Sequence, residues 1–480
     1  MLSLVSYTLG ILSIIYGAAM LVPLGFEFAE SGVDMPAFLI ASILALFLGG
    51  LLFFVSNNDQ KSMTAAQAFL LTTMSWIWMA LLCTLPLYMS TLDLTFTDAF
   101  FEAMSGLTTT GATVLTDLEH TSRGVLVWRS ISQWFGGFGI IAFAIILLPV
   151  LRVGGMHLFH AESSDRSSKS IPLTAHYIYS LMSAYVFLTF MCYITYSLLD
   201  MNPFDAFNHA LTTVSTGGFS THDTSFAFFD SQALMFAATI FMLSGAIPFV
   251  LYTNMIFQKK WNFFRDEQVV ALLKIILLTS FFLLIGETLT GEQSFFREVI
   301  PALFNVVSVI TTTGYVSEDY QLWGGFAVGI FFFLTYLGSC AGSTSGGLKI
   351  FRIVILMRVI KHQLQRLVYP SGVFATEYNG KAVKTETILS IVGFFFIYLF
   401  TNLVLAMLLS TTGVDFITAV SGSATAIANV GPGLGEVIGP VGNFSTLTDA
   451  AKWYLSAGML AGRLEILTML VLFIPALWKN

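Results

Sequence analysis

Charge is scarce in this chain. Asp, Glu, Lys and Arg make 10 % of its 480 residues, whereas hydrophobic residues make 56 % and phenylalanine alone occurs 46 times. A soluble domain carries roughly 25 % charged residues, so a water-covered globule is excluded and a multi-span membrane protein is indicated. Cysteine is scarce as well. Cys83, Cys192 and Cys340 each lie in an apolar run, without metal-site spacing and with no reason to pair. No nucleophile–base–orienter set and no nucleic-acid motif stands out. The string G-P-G-L-G-E (Gly431–Glu436) resembles part of a nucleotide-binding loop, but it follows no strand. His157 and His160 lack a third ligand for a metal. The first apolar run has neither a basic stretch before it nor a small-residue cleavage site after it, so it is expected to be a retained span.

What the chain has in abundance is apolar runs of spanning length. They fall at about 2–25, 37–56, 66–90, 124–151, 175–199, 232–257, 269–287, 323–360, 386–410 and 451–477. The eighth is interrupted by G-S-C-A-G-S-T-S-G-G (Gly338–Gly347). Lys and Arg gather in segments 57–64, 152–174, 258–268 and 358–384, while the alternate segments carry acids such as Glu27, Asp34, Asp117 and Asp223. The positive-inside bias then puts both termini in the cytoplasm, in a multi-pass protein of a lipid bilayer.

On the acidic side a short Thr/Gly string recurs. It reads S-G-L-T-T-T-G-A-T at Ser105–Thr113, V-S-T-G-G-F-S at Val214–Ser220, I-T-T-T-G-Y-V-S at Ile310–Ser317 and A-N-V-G-P-G-L-G at Ala428–Gly435. Counting back nine residues from Gly111, Gly217, Gly314 and Gly431 gives Glu102, Asn208, Asn305 and Gly422. The surrounding stretches read as one short apolar helix written three times, with a degenerate fourth copy. Such a helix is about 14–20 Å long, enough to enter half a bilayer but not to cross it. The repeating unit is therefore span, re-entrant helix, Thr/Gly loop, span. The expected fold is an all-α integral membrane protein. An N-terminal pair of spans (1–60) precedes four like-oriented repeats at 61–160, 161–262, 263–365 (with a broken second helix) and 366–480. Those repeats can close around an axis along the membrane normal.

Irregular backbone at membrane depth is tolerated only where it is buried in protein or lines a watery path. A ring of carbonyl dipoles replaces the hydration shell of a small monovalent cation, and glycine permits the positive φ that turns carbonyls inward. Helix C-termini aimed at the centre would add to the attraction. The interrupted eighth span places Gly338, Ser339, Gly342, Ser343, Thr344, Ser345, Gly346 and Gly347 beneath the third loop, where a flexible polar segment reads as a gate, with small-residue helix packing as the competing reading. Arg463 lies near mid-membrane in the last span, where a charge faces a cavity or a partner. Glu465, two residues on, falls on another helix face. Lys349 and Arg352 are expected at the cytoplasmic interface or the pore mouth. Glu102 reads as a hydrogen-bond partner of the loop backbone in preference to a proton carrier. Asp98 and Asp205 fit dipole and N-cap roles.

These strings resemble the membrane subunit of the Trk/Ktr/HKT potassium-transporter superfamily, most closely its TrkH type. The likeness runs through F-E-A-M-S-G-L-T-T-T-G-A-T (Phe101–Thr113), W-R-S-I-S-Q-W-F-G-G-F-G-I-I (Trp128–Ile141), G-G-M-H-L-F-H-A-E (Gly154–Glu162), A-F-N-H-A-L-T-T-V-S-T-G-G-F-S (Ala206–Ser220), N-V-V-S-V-I-T-T-T-G-Y (Asn305–Tyr315), G-S-T-S-G-G-L-K-I-F-R (Gly342–Arg352) and N-V-G-P-G-L-G (Asn429–Gly435). The resemblance implies a selectivity filter that binds the transported K+ at Thr109, Thr110, Gly111, Ser215, Thr216, Gly217, Thr312, Thr313, Gly314, Asn429, Val430 and Gly431. In plant relatives a serine at the first of the four glycine positions goes with sodium permeation, so Gly111 implies potassium preference. Asn429 and Val430 depart from the usual Ser or Thr, making the ring quasi-fourfold. The resemblance also implies an intramembrane gate with a pore-facing Arg463, no covalent cofactor, a homodimer, and a cytosolic TrkA-type ring of nucleotide-binding domains. The expected activity is potassium uptake through a gated, channel-like pore. A cation–proton symporter with alternating access is the rival reading, disfavoured by repeats that all point the same way.

Overall fold

The computed structural model describes residues 2–56, 64–146, 171–259, 262–290 and 295–478. Lys61, Arg152, His157, His160, Arg166 and Lys169, with most of the basic segments 57–64 and 152–174, lie outside them.

Within the described residues the regular secondary structure is helical, apart from one hairpin that pairs Glu377–Tyr378 with Lys381–Ala382 and an isolated bridge between Leu337 and Leu348. Six helices are long and apolar enough to cross a membrane: Leu4–Glu30, Met35–Val55, Ala66–Tyr88, Ile178–Leu198, Glu267–Gly286 and Thr385–Ser410. Arg123–Ile146 forms a further helix at the position of the fourth apolar run. The eighth run is divided as its glycines foretold, into Gly325–Tyr336 and Ile350–Val368.

Two other runs also break. Gln232–Ala246 and Phe249–Ile256 meet at 91°, and Asp449–Arg463 and Leu467–Phe473 at 101°. The sequence reading expected both to be continuous. Pro248 explains the first, since it supplies no N–H and its ring clashes with the preceding turn. At the second, Glu465 and Ile466 adopt positive φ of 61° and 31° without a glycine or proline.

Four short helices stand between spans: Phe96–Leu107, Pro203–Val214, Phe295–Ile310 and Phe416–Ala428. Thr95, Asn202 and Asp415 start three of them, each side chain accepting the N–H three residues on. Asp98 and Asp205 are therefore not the N-caps but occupy the third helical position. There Asp98 pairs with Lys452 at 2.6 Å and Asp205 accepts hydrogen bonds from Thr221 and His222. The short helices are the most buried elements, with Phe101 and Phe304 fully enclosed.

The N-terminal pair is fastened to the first repeat by polar contacts. Trp78 Nε1 donates to Ser13 at 2.8 Å. Glu27 and Asp34 are buried, and their carboxylates accept the N–H groups of Gly124 and Thr91. These two acids hold helix ends together rather than charging the surface.

Candidate functional site

Each short helix ends in the same way. The N–H groups of Thr110, Gly217, Thr313 and Val430 donate to the carbonyls of Ser105, Thr212, Ser308 and Thr425 at 2.8–3.0 Å. The residue before each donor is left-handed: Thr109, Thr216, Thr312 and Asn429 have φ of 53°, 51°, 58° and 58°. This is a Schellman turn, which usually places glycine at the left-handed position. The residue after each donor is a positive-φ glycine: Gly111, Gly218, Gly314 and Gly431.

The second loop thus differs from the sequence expectation by one residue. Gly217 occupies the place of Thr110, Thr313 and Val430, and Gly218 is the counterpart of Gly111. Sixteen positions separate Thr95 from Gly111, Asn202 from Gly218 and Asp415 from Gly431. Counted from the N-cap, the sequence itself identifies Gly218. The shift also makes His209, not Asn208, the counterpart of Glu102.

These glycines interlock in a closed cycle. A Cβ on Gly111 would strike the Gly217 carbonyl oxygen, one on Gly218 that of Thr313, one on Gly314 that of Val430, and one on Gly431 that of Thr110. Each loop abuts the next and the fourth returns to the first. All four glycines line one cavity of about 240 Å³, walled by Thr113, Arg129, Ser220, Asp223, Pro432 and Phe444 among others. Beside it Asp117 accepts a hydrogen bond from His120 at 2.6 Å, which holds that imidazole above its ordinary pKa.

Side chains hold the loops from behind. Glu102 accepts the Val114 N–H at 2.9 Å and binds Thr113, in the backbone-supporting role expected of it. Asn305 accepts from Ser317 N and Ser421 from Leu434 N in the third and fourth repeats. In the second, His209 Nε2 meets the Ser220 hydroxyl at 3.1 Å. Two supporting residues were not foreseen. Arg129 pairs with Glu102 at 2.8 Å and donates to Ser220 O, joining the first and second repeats. Gln133 donates to Gly217 O at 2.6 Å and accepts from Phe219 N. The signal was available: an arginine and a glutamine inside the apolar run W-R-S-I-S-Q-W-F demand partners.

Behind the short helices' C-termini lie small residues of the second spans. A Cβ on Gly136, Gly245 or Gly462 would collide with the carbonyl oxygen of Leu107, Val214 or Ile427 respectively. In the third repeat Ser339 donates to the equivalent oxygen, that of Ile310, at 3.0 Å.

That serine is the second residue of the segment that interrupts the eighth run. Ser339, Ser343, Thr344 and Ser345 are all buried. The segment fills the break in the sixth run: Phe249 N donates to Gly342 O, Cys340 N to Ala246 O and Thr344 N to Gly245 O. Arg463 donates to Thr344 O at 2.9 Å and Gly136 O at 3.2 Å, so it binds this segment. Glu465 does not pair with Arg463 but with Arg352, at 2.5 Å. Arg352 is fully buried, with its guanidinium over the Phe394 ring. Lys349 is also buried and donates to Ser345 O. It lines a cavity of about 30 Å³ with Gly342, Ser343, Gly346, Gly347 and Arg463. That space admits little more than one or two waters.

Four like loops closing a ring, with a buried polar segment beneath them, fit a membrane-embedded cation transport protein. The TrkH family, described as cation transport proteins, matches residues 34–296 and 296–480. The chain belongs to that family. It is 44 % identical to the Trk system potassium uptake protein TrkI of Halomonas elongata, over 98 % of this chain and 96 % of that one. It is 33 % identical to the Trk system potassium uptake protein TrkH of Escherichia coli K12, over 98 % of each. The crystal structure of the potassium transporter TrkH from Vibrio parahaemolyticus superposes with a TM-score of 0.92 at 32 % identity, covering 100 % of both chains.

Proposed function

We propose that the chain takes up potassium across a bacterial cytoplasmic membrane through a gated pore. Its filter consists of residues 109–111, 215–218, 312–314 and 429–431. The observation that carries this reading is the closed cycle of glycine-to-carbonyl contacts, because four converging strands of peptide oxygens are what a dehydrated monovalent cation requires. The relatives' names supply the cargo. The four units run 61–160, 161–262, 263–365 and 366–480, with the acidic face outside and both termini inside. The interrupted segment, with Arg463, is the gate. The contrast between a roomy cavity on one side of the ring and a nearly filled one on the other fits a shut pore. A homodimer with a TrkA-type nucleotide-binding ring on its basic face completes the assembly, and residues 358–384 form part of that face.

Purified protein in liposomes, given separate potassium and sodium gradients, should pass potassium in preference to sodium. Equal or absent potassium flux would overturn the reading. Gly111→Ser would force a side chain into positive φ against the Gly217 carbonyl. It should lower potassium-over-sodium discrimination, read as a permeability ratio.

A further inference from the structure

Three of the four left-handed positions at the base of the ring hold threonine, a β-branched residue for which that conformation costs roughly 1–2 kcal/mol. Backbone strain of this kind persists only where surrounding contacts over-determine it. In the second and third repeats those contacts come from the interrupted segment. The Thr216 hydroxyl meets the Thr344 hydroxyl at 3.1 Å, and Thr344 Oγ1 lies within hydrogen-bond distance of Val214 O and Gly245 O. The Thr312 hydroxyl accepts the N–H of Gly346 at 2.8 Å. At the fourth loop Gly346 lies against Ala428 O and Asn429 with no such hydrogen bond. Asn429 donates instead to Thr110 and Met459 O, and the buried Thr109 hydroxyl has no hydrogen-bond partner.

The segment is therefore not a plug lying free under the ring. It is bonded to half of the ring's lowest layer, through the side chains of the strained residues themselves. Displacing it removes one bond from each of Thr216 and Thr312 together, and leaves the Thr216 hydroxyl its bond to Ser215 O at 2.7 Å.

We infer that Thr344 and the Gly346 N–H are positioning groups that set the geometry of the ring's second and third quarters, so that the gate and ion discrimination are one coupled equilibrium. This rests on the transport reading above. Reciprocity follows: if the seated segment favours one ring geometry, the ion that fits that geometry favours the seated segment.

Two measurements test it. Thr344→Val keeps the shape and removes the hydroxyl. In liposomes it should raise basal potassium flux and lower the potassium-over-sodium permeability ratio together, the latter by roughly fivefold or more. Thr344→Ser, which retains the hydroxyl, should bring the ratio back toward the wild-type value. A ratio unchanged in Thr344→Val, whatever the flux does, would overturn the inference while leaving the pore intact. The second measurement keeps every threonine. Ser343→Cys, beside the small cavity, should react with a maleimide several-fold more slowly in potassium than in N-methylglucamine, read by mass spectrometry of the protein in detergent. Equal rates would overturn the linkage. Wild-type vesicles that pass no potassium would instead remove the transport reading, and this inference with it.

Discussion

At the scale of single residues, adjacent positions have sharply different tolerances. Gly218→Ala places a Cβ at positive φ against the Thr313 carbonyl, whereas at Gly217 the obstacle is the end of the Gln133 side chain. We expect Gly218→Ala to abolish potassium flux and Gly217→Ala to reduce it, both measured in liposomes. Removing the guanidinium in Arg129→Ala leaves Glu102 buried and uncompensated, a change that costs about 3–5 kcal/mol. It should appear as a clear drop in the melting temperature of the detergent-solubilised protein. Glu102 was legible because it stands at a fixed distance from a repeated glycine. Gly218 was not, because S-T-G-G offers two neighbouring glycines and only the count from Asn202 separates them. Arg129 was visible as a charge in an apolar run, yet its partner is fixed by tertiary contacts that no local pattern contains.

At the scale of elements, three spans are broken among the described residues and the sequence announced only one. Gly338–Gly347 declared itself by composition, since each glycine in a helix interior costs up to about 1 kcal/mol relative to alanine. The break at Pro248 has a lone proline as its mark. The break after Arg463 has none. Glu465 there reaches Arg352, 113 residues away in sequence, so the long-range ion pair accompanies a backbone turn that local propensity would not choose. The first two breaks are complementary, because the loop of one supplies the missing partners of the other. Shortening the Gly338–Gly347 segment should therefore do two things. Basal flux should rise, and thermal stability should fall, because the bonds to Gly245, Ala246 and Phe249 are worth about 0.5–1.5 kcal/mol each. Higher flux with unchanged stability would show that those bonds contribute nothing.

At the scale of the whole molecule, we propose that the alternation of acidic and basic segments sets the direction of insertion. Reporter fusions at both ends should register as cytoplasmic, and an external reporter signal from either end would reverse the assignment of the gate to the inner side. Architecture was the most legible level of all. Spans, short helices and loops follow from apolar length and from the fourfold recurrence of one string. The order in which the loops touch was not written in any of them.

That order has a consequence for how such a protein changes over time. In a ring assembled from four identical chains, every substitution strikes all the walls at once. Here one polypeptide supplies each wall from its own stretch of code, and a point mutation alters a quarter of the circumference. The Asn429–Val430 corner differs in this way from its three neighbours, which hold threonine or glycine at the same positions.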